Sequence, residues 1–228
     1  GSATACSQTA GSAQGCEILV YDISSSTNPV FVAGRDVNGD TTGTGNIAVN
    51  AIGVASSTLY VVKANNATAC AQTTGTGAGG CELMAFDISS SSNPVYVAGR
   101  DTTGNSTGTG NLAMNFLSIL GTSIFVGKAG DTTACSQSAG SAIGCELMVF
   151  DISSSTNPVY IAGRDAGGSA AGLQTAAISQ VMATGSILYV SKSGNSFACD
   201  SRVGYGIGCE LMIFDISSSS LPTYIAGR

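Results

Sequence analysis

Residues 145–165 read CELMVFDISSSTNPVYIAGRD, and residues 81–101 read CELMAFDISSSSNPVYVAGRD, with three differences between them. Residues 16–36 and 209–228 are looser copies of the same text. Cys6, Cys70, Cys135 and Cys199 precede these segments, while Cys16, Cys81, Cys145 and Cys209 open them, so the period is 64 or 65 residues. Self-similarity at a fixed period marks an array of one structural unit. The chain reads as a single repeat domain over 1–228, with a partial repeat over 1–36 and full repeats over 37–101, 102–165 and 166–228.

One period predicts four strands: A over 111–119, B over 123–128, C over 146–152 and D over 159–164. Along C, Glu146, Met148 and Phe150 alternate with Leu147, Val149 and Asp151, and successive strand side chains point to opposite faces. Both faces are largely apolar, so each sheet needs cover on both sides. No segment shows a 3.6-residue apolar period that would supply helices. Other copies of the sheet are the remaining cover. The expected fold is therefore all-β, with four-stranded antiparallel blades in tandem, β-propeller-like, and either open or completed by a neighbouring chain.

The turn SSSTNP separates C from D, and all four prolines (Pro29, Pro94, Pro158, Pro222) occupy this one position, where a strand begins and a missing N–H does no harm. Asp151 opens the turn, placed to accept a hydrogen bond from N–H groups just downstream. A hairpin register pairing Phe150 with Tyr160 also sets Glu146 opposite Arg164. The same rule sets Glu17 against Arg35, Glu82 against Arg100 and Glu210 against Arg228, predicting an aromatic pair and a structural ion pair in every hairpin. Lys63, Lys128 and Lys192 close strand B and are expected to join these charge clusters. In this topology the cysteine loops and the D–A loops share one edge, opposite the SSSxNP turns.

The run LYV followed by a lysine, the FDISSSTNPVYIAGRD hairpin and a glycine-rich loop returning to an apolar strand resembles the LVIVD-type β-propeller repeat. The resemblance covers strands B, C and D, somewhat over half the chain. It implies blade geometry and an extracytoplasmic surface protein, often one without known enzymatic activity. The cysteine-bounded insert between B and C departs from that family's pattern, as does the presence of only three complete blades.

Each repeat pairs its own cysteines most simply: Cys6–Cys16, Cys70–Cys81, Cys135–Cys145 and Cys199–Cys209. Disulfides imply an oxidising, extracellular or cell-surface setting. Zinc is the rival reading, but with no histidine and no CxxC a ligand set would draw on two repeats. Lacking histidine, the chain has no Ser–His pair, and carboxylates repeated once per unit speak for architecture. A glycosidase-type carboxylate pair is the residual enzymatic alternative. No catalytic residue, metal or cofactor is expected. Asp36, Asn38 and Asp40 have the spacing of calcium-loop oxygens without the downstream Glu, and turn chemistry is the better reading. Asn66 and Asn105 begin glycosylation sequons.

Charged residues are only 10% of the chain and its net charge is -6, without a basic cluster, which excludes nucleic acid and anionic membrane as expected partners. No apolar stretch is long enough for membrane insertion. Gly1 rather than Met fits a trimmed product, and the chain begins inside a B–C loop and ends with strand D. Neither end is more polar than the middle, although repeat arrays need polar caps. The expected partner is a second copy, joined head to tail through Ile18, Leu19, Val20 and Tyr21 of one chain and Leu211, Ile213 and Tyr224 of the next. The expected role is an extracellular filament or surface-layer protein. The alternative is a propeller-type adhesion module that binds glycans or surface proteins through its loops.

Overall fold

The computed structural model describes residues 4–9, 12–25, 27–39, 41–43, 45, 47–64, 67–71, 79–90, 93–138, 141–154, 157–194, 196–200, 206–218 and 221–228. Every regular element among them is a strand. The first repeat contributes β1 (Ser7–Thr9) and β2 (Ser12–Gln14), a small ribbon, then the two-stranded sheet of β3 (Ile18–Asp22) and β4 (Val30–Arg35). The second forms the sheet β5 (Val49–Ala55), β6 (Thr58–Lys63), β7 (Leu83–Asp87) and β8 (Val95–Arg100). The third holds β9 (Met114–Leu120) and β10 (Ser123–Lys128), the ribbon β11 (Ser136–Ser138) and β12 (Ser141–Ile143), then β13 (Leu147–Asp151) and β14 (Val159–Arg164). The fourth is β15 (Ile178–Thr184), β16 (Ile187–Lys192), β17 (Leu211–Asp215) and β18 (Thr223–Gly227). Each four-stranded sheet is antiparallel in the simple order A-B-C-D.

Strand parity decides the core. Met84 and Phe86 of β7 pack with Ile18 of β3, while Leu83 and Ala85, on the opposite face, pack with Met148 and Phe150 of β13. Leu147 and Val149 in turn pack with Met212 and Phe214 of β17. Each sheet thus offers a Leu-type face to the next repeat and a Met/Phe-type face to the previous one. Burying each large side chain in these layers contributes about 1.5–3 kcal/mol.

Phe150 pairs with Tyr160 as the alternation predicts, and the rings meet edge-on at 6.0 Å between centroids. The same T-shaped pair recurs as Tyr21–Phe31, Phe86–Tyr96 and Phe214–Tyr224. The predicted ion-pair register does not hold. A β-bulge lies between Val149 and Phe150 in the pairing, so Val149 sits opposite Ala162 and Leu147 opposite Arg164. Identical shifts place Arg35 opposite Ile18 and Arg100 opposite Leu83, and in β17–β18 Met212 lies opposite Gly227. A bulge sets two residues of one strand against one of the other, which carries each arginine past its glutamate.

The four disulfides join Cys6–Cys16, Cys70–Cys81, Cys135–Cys145 and Cys199–Cys209, and no cysteine is free. They close the B–C loops, whose backbone bonds to the D–A loops at the same edge: the N–H groups of Cys6, Cys70 and Cys135 donate to the carbonyls of Gly43, Gly108 and Gly172. The β1–β2 and β11–β12 ribbons inside these loops carry only small and polar residues apart from Ile143, so no alternation in the sequence announces them.

Candidate functional site

The end sheets each leave one face open. On β3, Leu19 and Tyr21 occupy the places of Met84 and Phe86 yet are 42% and 47% exposed. On β17, Leu211 occupies the place of Leu147 and is 41% exposed. Its face continues through Ile213, paired with Tyr189, and through Met182, paired with Tyr189 from the other side. Gln180, Met182, Tyr189, Ser191 and Leu211 line a shallow depression there. Of the residues expected to meet a second copy, Ile18 and Tyr224 are instead buried within the chain's own core. Strand parity turns them inward. Val20 and Ile213 are half-buried.

The arginines freed by the bulge reach across to the next repeat. Arg35 Nε donates to Pro94 O at 2.8 Å and Arg35 Nη2 to Asn93 Oδ1. Arg100 Nη2 donates to Asn157 Oδ1 at 2.6 Å. The end of one D strand therefore lies beside the start of the next, a crossing that the accumulated right-handed twist of each sheet allows. Strands β5, β9 and β15, by contrast, lie directly side by side.

Lysine and glutamate occupy the loop edge. Lys63 Nζ donates to Val37 O at 2.8 Å, Lys128 Nζ to Thr102 O at 3.2 Å, and Lys192 Nζ to Ala166 O and Gly206 O. Each ties its B strand to the loop entering the sheet. Lys128 also pairs with Asp131 at 3.5 Å. Burial lowers Lys63 to about 8 against the pull of Glu82 and Asp36. Glu146 accepts the N–H groups of Asp131 and Ala166 at 2.9 Å through separate oxygens, and burial pushes its carboxyl up to about 8 despite these bonds and Lys128. Glu17 accepts the N–H of Val37 in the matching place.

The D–A loops are built on aspartate. Asp101 accepts N–H groups from Thr103, Asn105 and Gly110; Asp36 accepts those of Asn38 and Gly45, and Asp165 those of Gly167 and Ser169. A carboxylate that gathers converging N–H groups is a turn keystone. Asp40 and the sequon residue Asn66 lie outside the described residues, among which no cluster of metal-ligating side chains occurs. Asp22, Asp87, Asp151 and Asp215 each accept the N–H two residues on, as their turn position predicts.

The residues missed by the sequence reading are Asn93 and Asn157. Their signal was present, since Asn precedes Pro in three of the four turns and Leu221 stands in the fourth, but the dipeptide reads as turn chemistry alone. Compared with known proteins, the chain matches no family model, and no curated protein matches it.

Proposed function

We propose that this chain is an extracellular structural protein of LVIVD-type β-propeller character whose sheets continue head to tail from one copy into the next, building a filament or surface layer. One observation carries the reading. The open Leu19/Tyr21 face and the open Leu211/Ile213 face are the two halves of a contact that the chain makes internally between successive sheets. Joining unlike faces is a heterologous contact, which grows into an open array unless its rotation closes a ring. Propeller-like blades are supported by the side-by-side A strands β5, β9 and β15 and by D strands that end beside their neighbours. Four disulfides fit the extracellular setting.

The test uses Leu19→Asp and Leu211→Asp. Wild-type chains at high concentration should form polymers visible by electron microscopy and sedimentation. Each variant alone should stay monomeric, whereas their mixture should form one-to-one dimers, because each keeps the face the other has lost. Monomeric wild-type protein, or variants that do not pair, would overturn the proposal.

A further inference from the structure

The arginine contacts between repeats repeat with one defect and one surplus. In each of Arg35, Arg100, Arg164 and Arg228, Nη1 folds back onto the carbonyl of the preceding glycine at 2.7–2.9 Å. That leaves Nε and Nη2 aimed outward from a fixed guanidinium. For Arg35 both donors, and for Arg100 Nη2, meet the Asn-Pro turn of the following repeat. Arg164 has no such acceptor, because Leu221 stands where its asparagine would be. Arg228 holds the same pose at an exposed position.

The surplus acceptor is Asn28. Its N–H donates to Ser25 O at 3.4 Å, as that of Asn93 donates to Ser90 O and that of Asn157 to Ser154 O. The turn thus has the shape of the two turns that accept an arginine. Asn28 is exposed. It lies on the hairpin that carries Leu19 and Tyr21, while Arg228 follows β18 in the sheet that carries Leu211 and Ile213.

We infer that Arg228 of one copy donates to Asn28 of the next, reproducing between chains the Arg35–Asn93 and Arg100–Asn157 contacts found within one. The partner is a second copy of this chain, and the inference rests on the head-to-tail reading above. The apolar faces bring the copies together, and the arginine fixes their rotation. A guanidinium already held by the carbonyl of the preceding glycine loses little side-chain freedom on binding, so the contact forms at low entropic cost.

The experiment is a double-mutant cycle on the dimer of Leu19→Asp and Leu211→Asp chains, which joins the Arg228 end of the first to the Asn28 end of the second. Adding Arg228→Met to the first chain should weaken association about tenfold, and so should Asn28→Ala in the second. Both together should weaken it no further than either alone. Asn28→Asp should tighten it, since a charge-assisted bond replaces a neutral acceptor. Both positions are exposed, and unchanged melting temperatures of the separate chains confirm intact folding. If the starting pair does not bind, the head-to-tail reading fails. If it binds but the two substitutions have no effect or add independently, that reading stands and the Arg228–Asn28 contact is wrong.

Discussion

The hydroxyl oxygen of Tyr96 lies 3.9 Å from Sγ of Cys81, across the backbone of Gly99. A β-carbon on Gly99 would stand 2.7 Å from both the Tyr96 oxygen and Cys81 Cβ, and Gly163 and Gly227 meet the same pair of neighbours. The glycine of these three AGR triplets is thus the space through which a disulfide and a tyrosine reach one another. Gly99→Ala should destabilise the protein by about 1–3 kcal/mol, as overpacking does. A fall in the urea midpoint checks it, and an unchanged midpoint would show that the tyrosine moves aside freely.

The A–B turns offer the converse case. Gly121 and Gly185 take φ of 57° with nothing near their missing side chains, and Ser56 takes φ of 52° at the matching turn. A non-glycine residue in the left-handed region costs about 1 kcal/mol. Ser56→Gly should therefore stabilise the protein by about 0.5–1 kcal/mol, less the extra freedom of glycine in the unfolded chain. Thermal melting reads the sign.

Leu221→Asn should supply Arg164 with the acceptor it lacks. The turn already has the required shape, since Leu221 N–H donates to Ser218 O as the asparagines do in their turns. A gain of about 0.5–1.5 kcal/mol is expected, and the added Arg164→Met substitution should erase it.

Stability should fall as pH rises from about 4.5 to about 8 on account of Glu146. In the unfolded chain its carboxyl ionises near 4.5, while the fold keeps it protonated up to about 8. Between those values the folded state binds more protons, so its advantage is complete below the window and lost through it. Lys63, lowered from 10.5 to about 8, acts oppositely above pH 8, where the unfolded chain holds the extra proton. Urea midpoints at pH 5 and pH 8 should differ in the wild type, and Glu146→Gln should flatten that difference.

The sheets were legible because their signals are side chains with a period. Phe150 and Tyr160 name the C–D hairpin, and the predicted B and D strands end at Lys128 and Arg164, as the structure has them. The bulge was not legible. It consists of one unpaired backbone position, and Ile161 at that place is as good a strand former as its neighbours. One slipped residue then moved Arg35 and Arg100 from a pairing within the sheet to one between sheets. The end faces were readable as apolar strands, but which half of each strand turns outward required the packing: Leu19 points out and Ile18 in, and both are aliphatic.

Three of the four disulfides close loops made mostly of small and polar residues, the kind of segment that proteases cut first. Each bridge spans a sequence separation of only 10 or 11. Cutting the backbone inside the loop between Cys135 and Cys145 would release no fragment, because the flanking strands β10 and β13 remain joined through sulfur and through their ladder. A protein of this kind keeps its continuity after being nicked, with each vulnerable loop carrying its own suture.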